Sequence, residues 1–327
     1  MQLHITHETS YDYAPAVDIA QHMAYLQPLN TTHQQLLSHT LSISPEPTQQ
    51  TSMLDVYGNT RSFFSLQAAH TQLNVVARSL VSTSAPTLWD NTVPWEQVRE
   101  RFRYRGKDPF DAAAEFVFAS PYVPRHADFA DYARPSFTRE PTLLLAARNL
   151  MQRIHHEFTY ETHSTEINTP AREALAKRTG VCQDFAHIMI ACLRAYGVPA
   201  RYVSGYLLTH PAPGQPRLVG SDASHAWVSV YLPEPQHGPV GGRWCDFDPT
   251  NNRDGWGSPG EDYVTLALGR DYADVSPLRG VIHGGANHRL KVAVTVEPVD
   301  TPQWTGQSQS QGQGQNQSQS QSQSQTL

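Results

Sequence analysis

Cys182 is the cysteine whose sequence context best suits nucleophilic chemistry. It stands at the predicted amino end of a helix, directly after Gly180 and Val181. The unpaired N–H groups and the dipole of a helix start stabilise a negative sulfur and can receive a developing oxyanion. Cys192 falls on the apolar stripe of the same predicted helix, and Cys245 falls inside a predicted strand. We therefore expect Cys182 to be the nucleophile and regard the other two as poor candidates.

His225 and Asp248 are the predicted partners of this thiol. A thiolate nucleophile needs a base that takes its proton and later protonates the leaving group, and His225 opens a predicted strand downstream. Asp248 ends the following strand, so antiparallel neighbours can place it beside the imidazole and stabilise the imidazolium. Two alternatives stay open: Asp246 on the same strand face orients the histidine instead, or Asp248 is a turn residue.

Helical periodicity predicts the elements that carry the nucleophile. Apolar residues recur at i, i+3 and i+4 spacing in two runs, and Thr-Pro is a typical helix start. The predicted helices are Leu143 to about Glu157, a second with Thr169 as N-cap and Pro170 at the first position that stops at Gly180, and a third from Cys182 to Gly197.

After the third helix the pattern changes to strands that begin at Ala200, His225 and Arg243, the last two joined by a loop rich in proline and glycine. A buried helix followed by an antiparallel sheet is typical of an α+β fold. The predicted core is thus the Cys182 helix packed on an antiparallel sheet.

The chain divides into three predicted parts. Residues 1–85 contain short alternating runs with turn signals and are predicted to form a small β domain. Residues 86–300 form the predicted catalytic domain, which includes a helix at about 95–104 and a proline-spaced connector at 120–136. Residues 301–327, mainly Gln, Ser and Gly, are expected to be a disordered tail.

Composition limits the partners. The net charge of −6, with scattered Lys and Arg, argues against nucleic acid or an anionic membrane surface, so small molecules or peptides are the expected partners. The substrate is expected to be a peptide or protein. The amino terminus has no secretory pattern and no long apolar run occurs, which predicts a cytoplasmic protein. Three cysteines without a CxxC pair do not make a disulfide framework. The oligomeric state stays open.

No cofactor or metal is predicted. The chain holds 16 histidines, among them His155, His156 and His163, yet HExxH, CxxC and HxH spacings are absent.

Several motifs resemble, in order, the signatures of bacterial transglutaminase-like proteins. They are TGVCQDFAH at 179–187, ARYVSGY at 200–206, DASHAW at 222–227, FDPTN at 247–251, GRDYADV at 269–275 and PLRG at 277–280. Residues 2 to about 84 are similar to the β domain that precedes the core in this family. The resemblance implies a papain-like core whose Cys-His-Asp triad corresponds to Cys182, His225 and Asp248.

The resemblance also implies thiol-dependent acyl transfer on amide bonds, for which we favour peptide or isopeptide hydrolysis by a cysteine peptidase or amidase. The alternatives are a protein-glutamine transglutaminase with an amine acceptor, and an inactive binding or scaffold module. Gln183 stands where animal transglutaminases carry tryptophan, and no acidic loop suits calcium. Substrate or oxyanion contacts are assigned to Gln183, Asp184 and Trp227. Asp184 and His187 fall near the amino end of the helix, which is expected to be exposed, where capping comes first and substrate contact second.

Overall fold

The computed structural model describes residues 1–87, 90–103, 110–162, 168–209, 224–234, 241–285 and 287–299. The predicted disordered tail at 301–327 and His163 lie outside the described residues. The disorder of the tail and the absence of a metal role for His163 therefore stay predictions.

The first sheet is antiparallel and is organised around one long strand, β1 (Gln2–Ala24). Leu3 and Ile5 alternate with exposed residues along β1 and lie in an apolar core, as a half-buried strand requires. The other strands are β2 (Gln34–Ser44), β3 (Gln49–Leu54), β4 (Thr60–Leu66), β5 (His70–Thr83), β13 (Leu278–Gly284) and β14 (Asn287–Pro298). The order in the sheet is β2-β5-β1-β4-β3, with β13 and β14 also paired to β1.

The last two strands change the predicted division of the chain. β14 pairs with the first half of β1, where Thr9 faces Val292, and β13 pairs with its second half, where Gln21 faces Val281. The sequence boundary at residue 300 assigned both strands to the catalytic domain. They instead complete the N-terminal sheet, because β1 is long enough to take different partners along each half.

The helices form one layer of the second unit. They are α1 (Trp95–Arg101), α2 (Ala127–Arg139), α3 (Leu143–Glu157), α4 (Ala171–Lys177), α5 (Cys182–Ala195) and α6 (Tyr272–Val275), with a short 3₁₀ helix at Ala112–Val117. The bounds predicted for α3 and the start predicted for α5 are confirmed. α4 begins one residue late, with Pro170 as N-cap, and ends at the left-handed Arg178. In the described residues no helix has the length and apolar character of a membrane span.

α2 corrects the interpretation of residues 120–136 as a connector. Its prolines suggested an irregular segment, yet a helix runs through Pro135. Phe129 and Phe137 on this helix are buried in the core that α3 and α5 share, so packing compensates for the backbone N–H that proline lacks.

The second sheet is antiparallel and contains the strands β8 (Ala200–Leu207), β9 (Ser224–Pro233), β10 (Gly242–Asp248), β11 (Arg253–Trp256) and β12 (Tyr263–Gly269). Their order is β11-β10-β9-β8-β12, and α5 packs against β9 and β8. A short parallel pair, β6 (Thr159–Tyr160) and β7 (Thr179–Gly180), lies just before α5. The predicted α+β arrangement, a helix carrying the cysteine on an antiparallel sheet, is confirmed.

Candidate active site

The start of α5 is fixed by a local hydrogen bond. Val181 has extended backbone at the N-cap, and its N–H donates to the Asp184 carboxylate at 2.9 Å. A side chain at Gly180 would meet the Asp184 carboxylate at 2.7 Å, so only glycine fits there. Cys182 is therefore the first helical residue, half-buried, at the positive end of a fourteen-residue helix.

His225 lies against the thiol from the neighbouring strand. Its side chain is 9% exposed, and its Nε2 lies 2.7 Å from Oδ2 of Asp248. The thiol of Cys182 is close enough to the imidazole to contribute to the raised pKa of His225. Because Nε2 is engaged by the carboxylate, Nδ1 is the nitrogen available to the sulfur.

Strand register explains why Asp248, rather than Asp246, meets the imidazole. Ser229 of β9 pairs with Asp246 of β10, and alternation along both strands brings 225, 227 and 229 to the same face as 246 and 248. Asp246 accepts the indole N–H of Trp227 at 2.9 Å, which leaves Asp248 one step further along for His225. The alternative in which Asp246 orients the histidine does not match this geometry.

Asp248 is fully buried and collects five hydrogen-bond donors. Oδ2 accepts from His225, from Nδ2 of Asn251 at 2.7 Å and from the Tyr263 hydroxyl at 2.7 Å. Oδ1 accepts from the backbone N–H groups of Thr250 at 2.8 Å and Asn251 at 3.3 Å. Oδ1 of Asp248 thus binds the turn that follows it, as a turn residue would, and Oδ2 binds His225, as an orienting carboxylate would.

The charges of His225 and Asp248 set the protonation state of both side chains. Burial lowers the pKa of His225, but the charge and hydrogen bond of Asp248, with a smaller contribution from Cys182, outweigh it and raise that pKa to about 10. Burial raises the pKa of Asp248, and His225 with the other donors lowers it further than that, to below its ordinary value. The imidazolium is accordingly the favoured form of His225 at neutral pH.

The other residues predicted near the start of α5 differ in how exposed they are. Gln183 is half-exposed beside the nucleophile. Asp184 and His187 are each only 2% exposed, which corrects the expectation of an exposed helix end. Asp184 fills the cap described above, and Nε2 of His187 accepts the backbone N–H of Tyr272 at 3.2 Å.

Trp227 is also corrected as a substrate contact. Its side chain has no exposed surface, and its indole N–H is used by Asp246. A side chain at Gly205, which pairs with His225, would meet the Trp227 ring at 2.3 Å. Trp227 therefore lies buried beside His225 on the same strand and presents nothing to a ligand.

The other two cysteines lie in the interior. Burial raises the pKa of both the Cys192 and the Cys245 thiols, and both residues are almost fully buried. Among the described residues, no three side chains of His, Cys, Asp and Glu converge as metal ligands would.

Sequence reasoning missed Asn251 and Tyr263. Asn251 follows Asp248 by three residues, and an Asp-x-x-Asn turn is a local signal that could have identified it. Tyr263 reaches the carboxylate only because β12 lies beside β8 in the sheet, and no spacing in the sequence reports that contact.

Comparison with known proteins identifies the family. One family model, the bacterial transglutaminase-like N-terminal region, matches residues 3–82, and another, the transglutaminase-like superfamily, matches residues 130–249. Proteins named as uncharacterized in Mycobacterium tuberculosis and Mycobacterium bovis are 39% identical over 304 residues, which cover 90% of this chain and 92% of theirs. The chain belongs to the transglutaminase-like superfamily.

Two further similarities of this transglutaminase-like protein concern chemistry and fold. A Pseudomonas aeruginosa protein named protein-glutamine gamma-glutamyltransferase is 35% identical over 132 residues, which cover 39% of this chain and 18% of that protein. The crystal structure of a "putative cysteine protease" from Cytophaga hutchinsonii has a TM-score of 0.66 at 21% identity and covers 94% of both chains. At 21% identity the similarity to the Cytophaga hutchinsonii structure concerns the fold alone, and it confirms the predicted fold.

Proposed function

We propose that this protein is a thiol-dependent acyl-transfer enzyme that cleaves amide bonds, with hydrolysis of a peptide or isopeptide as its reaction. The observation that carries the proposal is the 2.7 Å hydrogen bond of His225 to the buried Asp248, with the imidazole electrostatically coupled to Cys182 at the start of α5. A half-buried thiol at a helix start, a histidine held as imidazolium and a buried carboxylate are the parts that a cysteine nucleophile requires.

The first half-reaction forms a thioester. The Cys182 thiolate attacks the amide carbonyl carbon, and the C=O π pair moves to oxygen, which gives a tetrahedral oxyanion. The oxyanion collapses, the C–N bond breaks with its pair going to nitrogen, and the His225 imidazolium gives its proton to the departing amine. The products are a free amine, a thioester on Cys182 and a neutral imidazole.

The second half-reaction releases the acyl group to water. Neutral His225 takes a proton from water, whose oxygen attacks the thioester carbonyl, and the C–S bond breaks to return the thiolate beside an imidazolium. Asp248 keeps the imidazole oriented and balances its charge in both halves. The half-buried position of Cys182 leaves the thioester within reach of solvent.

An amine acceptor is the second candidate reaction. The Pseudomonas aeruginosa relative, which matches 39% of this chain, is named for glutamyl transfer. The same thioester would then be attacked by a primary amine instead of water, with His225 again removing the proton. The two reactions share the first half and differ only in the acceptor.

Intact-mass analysis tests this function. Wild type and Cys182→Ala are incubated with a thiol-reactive amide and peptide library, with and without putrescine. We expect wild type to gain an acyl adduct that Cys182→Ala lacks, whereas Cys192→Ala, which removes a buried thiol, keeps it. Conversion of the adduct to free acid supports hydrolysis, and conversion to an acyl-putrescine supports transfer. An adduct of equal yield on Cys182→Ala would contradict both reactions, because the acyl group would then lie on another residue, and no adduct on wild type would favour a binding module.

A further inference from the structure

Tyr160 lies on a rigid support directly beside the nucleophile. Its strand β6 pairs in parallel with β7, so that Tyr160 is opposite Gly180, two residues before Cys182. Backbone hydrogen bonds hold both sides of this pair, from the Thr159 N–H to Arg178 at 2.9 Å and from the Glu161 N–H to Gly180 at 3.0 Å. The position of the tyrosine is therefore fixed to the same segment that fixes the start of α5.

The Tyr160 ring lies against the first turn of α5. Its centroid is 6.3 Å from that of Phe185 in an edge-on arrangement, and Phe185 is one turn beyond Cys182 and buried. The Tyr160 side chain nevertheless remains 49% exposed. The Tyr160 ring thus packs against the helix that carries the thiol, and the rest of the ring is exposed to solvent.

The phenol also responds to the charge of the thiol. Burial, followed by the charges of Cys182, Asp184 and Asp248, raises the pKa of Tyr160 to about 12. The hydroxyl consequently remains a neutral O–H donor over the whole working range of a cysteine enzyme. A neutral donor beside the segment that carries Cys182 is suited to receive the negative charge that forms on the carbonyl oxygen, two bonds from the sulfur.

Tyr202 on β8 is the comparable residue. The charge of Cys182 also raises the pKa of Tyr202, after burial, which is the larger cause. Tyr202 is only 3% exposed, however, so its hydroxyl lies beneath the site and is closed to a substrate carbonyl. Between Tyr160 and Tyr202, Tyr160 is the phenol that a substrate can reach.

We propose that Tyr160 is a catalytic residue whose hydroxyl donates a hydrogen bond to the oxyanion formed when Cys182 attacks the substrate carbonyl. The backbone N–H of Cys182 is the second donor, since N–H groups in the first turn of a helix have no carbonyl partner within it. The tetrahedral oxygen lies between the two donors, and its charge returns to the carbonyl as the leaving group departs. This assignment rests on the proposed acyl transfer.

Tyr160→Phe tests the donor with its ring retained. The probe is p-nitrophenyl acetate, whose burst of p-nitrophenolate reports acylation of Cys182. Loss of one oxyanion donor is expected to slow acylation by about 10²- to 10³-fold. Alkylation of Cys182 by iodoacetamide passes through no oxyanion, so its rate should stay at the wild-type value. Tyr57→Phe is the matched control, because its hydroxyl bonds Glu115 at 2.7 Å, away from the thiol.

The outcomes separate this inference from the proposed function. A Cys182→Ala protein that still shows the wild-type burst would contradict acyl transfer itself. If Cys182→Ala is silent but Tyr160→Phe acylates at the wild-type rate, acyl transfer stands and the role of Tyr160 is wrong. A parallel fall of acylation and alkylation in Tyr160→Phe would place the effect on the thiolate and would also overturn the donor role.

Discussion

Replacing Asp248 with asparagine separates the charge of the candidate triad from its shape. The carboxylate now accepts three hydrogen bonds on Oδ2 and two on Oδ1. Asparagine fills the same volume but has one oxygen, so one set of donors meets an NH₂ group instead. The variant therefore loses both the negative charge beside His225 and part of the hydrogen bonding that orients it.

The expected magnitude follows from the protonation of His225. Asp248 holds the pKa of that imidazole at about 10 against the effect of burial. Without the charge, burial takes the pKa below the ordinary value of about 6.5, so the imidazole becomes neutral at neutral pH. Loss of the proton donor and of the correct tautomer together should slow acylation on the order of 10² to 10⁴.

The assay is single-turnover acylation by a peptide p-nitroanilide, whose departing amine must be protonated, across pH 5 to 10.5. A raised pKa keeps the imidazolium present until the pH approaches 10, so the alkaline limb of the wild-type profile should lie there. In Asp248→Asn that limb should move to below about pH 6.5. Asp246→Asn, a matched change on the same strand face, should keep the wild-type profile. An unshifted profile for Asp248→Asn, or a shift only in Asp246→Asn, would refute the reasoning.

Three further predictions concern the same molecule. Tyr263→Phe removes a hydrogen bond to the Asp248 carboxylate, and acylation should fall about ten- to hundredfold with KM unchanged; a wild-type kcat would contradict this. Iodoacetamide should label Cys182 before the buried cysteines in peptide mapping, and faster labelling elsewhere would overturn the assignment. Burial lowers the pKa of His7, His22 and His187 to about 3 or 4, so these side chains are neutral in the folded protein and protonate first in the unfolded chain. The free energy of unfolding in urea should therefore fall as the pH drops from about 6.5 towards 4, by up to about 1.4 kcal/mol per pH unit for each histidine. A stability that does not change over this pH range would exclude the prediction.

Local signals predicted the part of the site that depends on element ends. A helix start at Cys182, a strand start at His225 and a strand end at Asp248 are each readable from a few neighbouring residues, and the antiparallel sheet then brings them together. Contacts made only by tertiary packing were not readable. Tyr263 arrives on a strand added at the far edge of the sheet, and Tyr160 arrives through a two-residue parallel pair.

Where the sequence interpretation was wrong, packing outweighed a local rule. Pro135 suggested a connector, but the aromatic residues around it are buried by α3 and α5 and keep the segment helical. Asp184 suggested an exposed helix end, but its bond to Val181 allows burial of the carboxylate. The predicted peptide or protein substrate and the cytoplasmic location have no structural counterpart and stay predictions.

The most direct test of the central claim is to locate the acyl group after a single turnover. Wild type, Cys182→Ala and His225→Ala are mixed with p-nitrophenyl acetate, quenched in acid within the burst, digested and mapped by mass. The account predicts an acetyl thioester on the peptide that contains Cys182 in wild type, and none there in either variant. A wild-type yield of that thioester in His225→Ala, or an acetyl group found only on other residues in wild type, would contradict it.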